Sequence, residues 1–339
     1  MATMADIAKR SGVALSTVSH TLSGKRPVSV EVRQRVLQAI AELEYQPHAL
    51  ARALATKRSR TIALVYPDAA LSSTQPELYQ EFTFISGILE VTNQRKYGLL
   101  LWLMPDEERE VLGMTQRGLI DGLILMEIRL EDPRVAMLRE QHYPFTMIGH
   151  CKENDGINFV DLDFDYALHT CVEYLAGLGH KHIAFINHSS RLFETGVGYV
   201  VRAEEAFHQA IAQWKLEGIS CPCESHAQAG YDAVHLLLER DPSLTAIITS
   251  NAWICGGVTR AVHDKGLKIP EDLSLVGVIS PRVAEMTNPT LTAIDFPCYD
   301  MGHMGADMLI RQLEGEEVVT QLLLKPPLTI RQSSGPCMR

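Results

Sequence analysis

Hydrophobic positions along the chain follow two different periods. Over the first sixty residues an adjacent pair, Ile7 and Ala8, is followed by positions three and four apart: Val18 with Leu22, then Val32, Val36, Ile40 and Leu43. That spacing lines one stripe of a helix. Thr3, followed three residues later by Asp6, forms a capping-box variant at the start of the first segment, and Gly12 ends it as a left-handed residue. Ser29, after Pro27 and Val28, caps the third. The expectation is three short helices with Ile7, Ala8, Val18 and Leu22 turned inward. From Thr61 the pattern changes to short, nearly continuous apolar runs: "TIALVYP", "YGLLLWLM", "GLIDGLILM", "FTMIGH", "HIAFINHS", "AIITSN", "LSLVGVIS" and "LTAIDFP". Helical segments such as "FTFISGILEVTNQRK" and "DPRVAMLREQ" separate them. Strands apolar on both faces belong to parallel sheets covered by helices. The predicted fold is an all-α head followed by an α/β core of two doubly wound parallel-sheet subdomains. Ligands of such sheets bind beyond the carboxyl ends of the strands.

The stretch "ALSTVSHTLSG" (Ala14 to Gly24) explains the head. If Val18 and Leu22 face inward, Leu15, Ser16, Ser19 and His20 fall on the other side. Two short helices around a tight Gly turn, followed by a third, form a helix-turn-helix, whose second helix enters the DNA major groove. Charge supports this. Residues 1–60 hold ten Lys/Arg and four Asp/Glu, leaving 21 of the 31 basic and 37 of the 41 acidic residues for the rest. A basic head on an acidic body suits a polyanion-binding module joined to something else.

The chain has 339 residues, enough for two or three domains. No apolar run reaches bilayer length, and "MATMADIAKRSG" lacks a secretory apolar core, so a cytoplasmic protein without membrane contact is expected. The seven cysteines read as buried free thiols. "CPC" at Cys221–Cys223 and "GHKH" at His180–His182 lack a second ligand pair at metal-binding spacing, so no metal and no cofactor are expected. No nucleophile with its acid and base, and no phosphate-cradling loop, stands out. "GVGYVVRAEEA" has too few glycines, wrongly placed. The protein is read as a non-enzyme.

The run from Met4 through "…DIAKRSGVALSTVSHTLSGKRPVSVEVRQRVLQAIAELEYQPHALARALATKRSRTIALV" resembles the head of the lactose-repressor/galactose-repressor (LacI/GalR) family, and the likeness extends nearly end to end. It implies that Leu15, Ser16 and His20 read bases while Thr17 and Ser19 approach phosphates. Thr3, Ser29, His48 and Ala51 complete the positions it assigns to DNA. "QPHALARALATKRS" stands where the family has a hinge helix, Pro47 suiting its first turn, and Leu54 matches a residue that wedges between base steps in the minor groove. A plain interdomain linker is the alternative for this stretch. Two departures bear on the reading helix. Ala14 replaces a capping Ser, and His20 replaces an Arg able to grip guanine through two parallel hydrogen bonds, which implies a shifted base preference. Glu44 replaces the usual Gly of "ELGY", with no functional account.

The landmarks "RGLIDGLILM", "FVDLDFDYA", "LAGLGHKHIAFI", "HDKGLKIPEDLSLVGV" and "NPTLTAIDFP" imply a periplasmic-binding-protein-like core crossed three times by the chain. The expected layout is a head over 1–46, hinge and linker over 47–60, and a core over 61–339. Its first half takes about 61–160 and 293–320, and its second about 161–292 and 321–333. "VDLDFDYA" reads as a strand running into a helix start, with Asp165 favoured there by the dipole. In the cleft the likeness implies lost sugar-gripping polarity. Phe164 stands for an Asn or Asp, Ala252 for an Asp beside the retained Asn251, Ile279 and Ser280 for two Asp, and Tyr199 for an Arg that Arg202 replaces only under a shifted alignment. The candidate effector-binding residues are Phe82, Asp163, Phe164, Tyr199, Arg202, Asn251, Trp253 and Ser280, with Arg282 as a further polar contact. The expected effector is a small molecule, either a carbohydrate held by unusual residues or a more apolar, aromatic ligand. Phe164 and Trp253 are equally readable as core.

The resemblance implies a transcriptional regulator, a repressor by family habit, binding a pseudo-palindromic operator as a homodimer under effector control. With no leucine heptads after "TIRQSSGPCMR", a dimer is favoured over a tetramer. Two alternatives stay open: a constitutive DNA-binding regulator with no effector, and a cytosolic solute-binding protein.

Overall fold

The computed structural model describes residues 2–23, 26–43, 58–67, 79–104, 108–316 and 319–338. The expected hinge residues His48, Ala51 and Leu54, and Glu44 with them, lie outside the described residues.

In the head, α1 (Met4–Ser11), α2 (Leu15–Ser23) and α3 (Val30–Glu42) follow the predicted signals. Thr3 and Asp6 exchange the reciprocal capping hydrogen bonds, Asp6 N–H to Thr3 Oγ1 (3.3 Å) and Thr3 N–H to Asp6 Oδ2 (2.8 Å). Those bonds hold the Asp6 carboxyl below its ordinary range. Gly12 ends α1 at φ 66°, a left-handed conformation that costs a residue without Cβ little. Ser29 Oγ accepts from Val32 N–H and caps α3. Ile7, Val18, Val36 and Ala39 are buried together, with Ala8, Val13, Val32, Ile40 and Leu43 around them. Leu22 departs from expectation and is 37% exposed. Val18 alone reaches the point where α1 and α3 meet. One turn further on, the nine-residue α2 has run past their cover.

The core holds two six-stranded sheets. Its elements in chain order are β1 (Thr61–Pro67), α4 (Tyr79–Arg95), β2 (Gly98–Met104), α5 (Glu108–Gln116), β3 (Gly122–Leu125), α6 (Pro133–Glu140), β4 (Phe145–Ile148), β5 (Asn158–Leu162) and α7 (Phe164–Gly177). There follow β6 (His182–Asn187), α8 (Ser190–Glu194), α9 (Gly198–Trp214), β7 (Glu217–Pro222), α10 (Ala227–Arg240), β8 (Ala246–Thr249), α11 (Cys255–Asp264), β9 (Ser274–Ile279) and α12 (Pro281–Met286). The last are β10 (Thr292–Asp295), α13 (Cys298–Glu314), β11 (Gln321–Leu324) and β12 (Leu328–Thr329). The sheets run β11-β5-β4-β3-β1-β2 and β12-β10-β9-β8-β6-β7. The ladders β1–β3, β3–β4, β4–β5, β5–β11, β6–β7, β6–β8, β8–β9 and β9–β10 are parallel, and β12 pairs antiparallel with β10. Central strands such as β3, β4, β8 and β9 are buried along their whole length, as sheets covered on both faces require.

The chain crosses between halves after Leu162, Asp295 and Leu324, a few residues later than expected at each point. β10 pairs with β9, so residues 292–295 belong to the second half. β11 pairs with β5, so residues 321–324 belong to the first. The crossing waits until a strand has completed its ladder. In the first half α4 and α13 approach backbone to backbone. A Cβ at Gly302 would lie 2.1 Å from Phe84 O, and one at Gly87 2.2 Å from Tyr299 O. Six cysteines are buried free thiols and Cys337 is half-buried.

Candidate functional site

The exposed flank of α2 is the first candidate surface. Val18 is wholly buried, so the helix turns Leu15, 51% exposed, and Ser16 to solvent, while Thr17, Ser19 and His20 are half-buried beside them. The carbonyl of Ala14 accepts from Thr17 N–H (2.9 Å) and Val18 N–H (3.2 Å), so Ala14 occupies the cap position without a side-chain acceptor. Thr3 and Ser29 spend their hydroxyls on capping. Lys9 and Arg10 lie in the last turn of α1, and Arg10 pairs with Glu42. Among the described residues, the DNA candidates Leu15, Ser16, Thr17, Ser19 and His20 therefore share α2, while Thr3 and Ser29 sit at the starts of α1 and α3.

The second candidate lies between the halves of the core. The carboxyl ends of the adjacent strands β6, β8 and β9 bring His188, Ser250 and Ser280 to one end of the second sheet. His188 Nε2 sits 3.3 Å from Ser250 O, and burial pushes its imidazole down to about 4. The buried hydroxyls of Ser250 and Ser280 find no hydrogen-bond partner among the described residues. Asn251 is wholly buried and committed: its Oδ1 accepts from Trp253 N–H, and its Nδ2 donates to Ser225 Oγ. Trp253 is half-buried in the short 3-10 turn that Asn251 caps.

A row of aromatic rings runs from one half to the other. Phe84 on α4 meets Phe296 (6.2 Å between centroids), Phe296 meets Phe164 (6.2 Å), Phe164 meets Tyr199 (6.2 Å), and Tyr199 meets His188 edge-on (5.0 Å). Phe296 packs against the cores of both halves. Phe164 is only 3% exposed, so in this conformation it is core as much as wall. Phe82, two residues before Phe84, is exposed on the outside of α4, and Arg282 is exposed on α12.

Arg202, on α9 of the second half, reaches into the first. Its Nη2 donates to His150 O (2.8 Å) and Cys151 O (3.1 Å), and its Nη1 lies 3.8 Å from Asp161 Oδ2. Asp161 also faces His150 Nδ1 at 2.8 Å. Burial lowers the Arg202 guanidinium below its ordinary value, against the pull of Asp161. Beside it the backbones of the two halves join directly. Leu130 N–H donates to Gly196 O and Gly198 N–H to Ile128 O, both at 2.8 Å, around an antiparallel bridge of Arg129 with Val197. A cavity of about 220 Å³ opens next to this seam, lined by Arg202, His150, Asp163, Phe164, Glu205 and Gln209 among others. Of the effector candidates, Asp163, Phe164 and Arg202 therefore share one wall. Asp163 caps α7 through Tyr166 N–H and pairs with Lys325.

Sequence reasoning missed His150, Asp161, His188, Ser250, Phe84 and Phe296. His188 and Ser250 lie in the closing residues of the predicted runs "HIAFINHS" and "AIITSN", so the rule that ligands sit at strand ends could have found them. Nothing local marks Phe84 or Phe296. His180 is bound to Thr245 Oγ1 and Gly335 O, and His182 to Asp241, so both serve the fold. Burial holds the Cys223 thiol up at about 12.

Two family models match this chain: bacterial regulatory proteins of the lacI family over residues 3–48, and the periplasmic binding protein-like domain over residues 172–334. Catabolite control protein A of Priestia megaterium is 28% identical, the match covering 98% of this chain and 99% of that protein. The HTH-type transcriptional repressor PurR of Shigella sonnei is 29% identical over 98% and 97%. The chain's fold is similar to that of the lac repressor dimer bound to operator and the anti-inducer ONPF, with TM-score 0.82 at 22% identity over 98% and 99%. It is also similar to the regulator CelR in its cellobiose complex, with TM-score 0.70 at 24% identity over 98% and 100%. A head that matches the lacI family of bacterial regulatory proteins and a core that matches the periplasmic binding protein-like domain stand in one chain, which is similar along nearly its whole length to bacterial transcriptional regulators.

Proposed function

We propose that this protein is a cytoplasmic, sequence-specific repressor that binds a pseudo-palindromic operator as a homodimer and answers to a small-molecule effector held between the halves of its core. The observation that carries the DNA reading is α2, which offers Leu15, Ser16 and His20 opposite a wholly buried Val18. His48, Ala51 and Leu54 extend the interface by family likeness, with Leu54 as the minor-groove wedge. PurR is named a repressor and the lac repressor structure holds operator DNA, which favours the same role here. Selection of duplexes from a random library by the purified protein tests it. The expected result is an enriched palindrome, bound with an affinity that falls steeply as salt rises. Failure to enrich any duplex at low salt, with or without cell extract as a source of corepressor, overturns the reading.

For the effector, the strand ends offer His188, Ser250 and Ser280, and α9 adds Tyr199, against Phe164 and Phe296. Uncharged hydroxyls and rings favour a neutral ligand with a flat apolar face over an acidic one. A second reading, a regulator that needs no effector, draws on the aromatic row and the Arg202 seam, which hold the halves together without help. Calorimetry separates the two. Tight binding of a neutral aromatic ligand with altered operator affinity supports effector control, and tight binding of an ordinary hexose or disaccharide refutes the aromatic preference.

A further inference from the structure

We propose that Asp121 is the positioning residue that fixes the direction in which the chain from the linker enters β1, by holding Arg60 in a left-handed conformation. Its carboxylate takes three donors from the incoming segment. Ser59 N–H reaches Oδ1 at 2.7 Å, Ser59 Oγ reaches the same oxygen at 2.9 Å, and Arg60 N–H reaches Oδ2 at 2.9 Å. The Asp121 N–H in turn donates to Thr61 O at 2.7 Å. Ser59 Oγ also accepts from Thr61 N–H at 3.1 Å, closing a turn over residues 59–61. Within that turn Arg60 stands at φ 50°. Contact between Cβ and the backbone disfavours this region for any residue but glycine, so local bonds are needed to hold an arginine there. The three bonds to Asp121 supply that constraint.

The placement gives the device its consequence. Thr61 opens β1 and Asp121 immediately precedes β3, and the two strands pair in parallel from Ile62 with Gly122 onward. The carboxylate therefore sits at the start of two hydrogen-bonded neighbours, and residue 59 inherits their rigidity. A movement of these strands is handed on to the linker instead of being absorbed by free rotation at residue 60. Without Asp121, Arg60 relaxes to negative φ and the linker leaves the sheet in another direction. The inference rests on the DNA-binding reading for its effect on operator affinity. The constraint itself can be read without DNA.

The test uses the full chain and the duplex enriched by selection. Asp121→Ala should weaken operator binding by about tenfold or more, at a melting midpoint close to that of the parent. Asp121→Asn, which keeps an acceptor for Ser59 but turns N–H groups toward Arg60 N–H, should fall between. Arg60→Gly is the discriminating partner, because glycine keeps positive φ without help. The double variant should bind more tightly than the product of the two single losses predicts. Amide exchange at Ser59 and Arg60 should quicken in Asp121→Ala whether or not DNA is present. Unchanged exchange overturns the constraint, while faster exchange with unchanged operator affinity overturns the positioning role, as do losses that simply multiply. A parent protein that selects no duplex refutes the DNA reading instead, and the exchange result still decides the Asp121–Arg60 claim.

Discussion

Replacing Arg202 by methionine tests whether the seam between the core's halves is held by the protein itself. Methionine keeps most of the apolar stem and removes the charge and the donors. Two hydrogen bonds disappear, to His150 O at 2.8 Å and Cys151 O at 3.1 Å, along with the approach to Asp161 at 3.8 Å. Hydrogen bonds from a charged group contribute roughly 1.5–3 kcal/mol each, and the cost of burying the guanidinium offsets part of that. Asp161 is not left alone, since His150 and Leu162 N–H still face it. The net loss is then about 2 kcal/mol, or about 4–8 °C in the melting midpoint of a core this size. The backbone bonds at Leu130 and Gly198 remain, so the fold survives but the halves part more easily. Thermal melting with small-angle scattering of the same samples measures both effects. A melting midpoint within about 1 °C of the parent, with an unchanged scattering profile, would refute the claim that Arg202 ties the halves together.

Gly302→Ala should cost about 3 kcal/mol or more, because its Cβ would sit 2.1 Å from a carbonyl oxygen of α4. Gly113→Ala, with nothing within 4 Å of the new carbon, should instead stabilise α5 by up to about 1 kcal/mol, and parallel thermal melts compare them. Ala14→Ser should supply the acceptor that α2 lacks and stabilise the head by about 1 kcal/mol, read as a higher midpoint in helical dichroism. His188 should make the core acid-sensitive. Its imidazole lies near 4 when folded against an ordinary 6.5, so the unfolded chain binds the extra proton. Stability is then full above pH 6.5 and falls between 6.5 and 4, by at most about 3 kcal/mol and less for a ring with some solvent contact. Urea melts of the parent and His188→Gln across that window should converge in pH dependence if another group is responsible.

The strands of the core were legible because parallel sheets demand unbroken apolar runs, and "AIITSN" or "LSLVGVIS" admit few other readings. The head was legible for a different reason. Its caps are local, so Thr3 with Asp6, Gly12 and Ser29 announce their helices within a few residues. Leu22 escaped because burial on a short helix depends on how far its neighbours extend, which no local spacing records. The strands β7, β11 and β12 escaped too. β11 and β7 lie at sheet edges and carry half-exposed residues, and β12 has two residues, so none shows a continuous apolar run.

The cleft shows the same division between local and distant signals, with sharper consequences. The sequence places Phe164 and Tyr199 where family likeness expects polar ligand contacts, and each substitution alone reads as lost affinity for a sugar. Only the fold shows that the two rings meet each other and that Phe296 continues the row toward Phe84, filling the seam from both cores. Arg202 likewise looks like a displaced ligand-binding arginine in one dimension. In three it spends its donors on two carbonyls of the opposite half. At Phe164 and Tyr199 the lost polar contact and the gained ring are therefore one change. Groups that would hold a polar ligand between the halves are replaced by groups that hold the halves to each other. Any effector of this protein must compete with contacts the chain already makes, and its differential affinity for the open and closed arrangements, not its affinity alone, sets how far it moves the equilibrium.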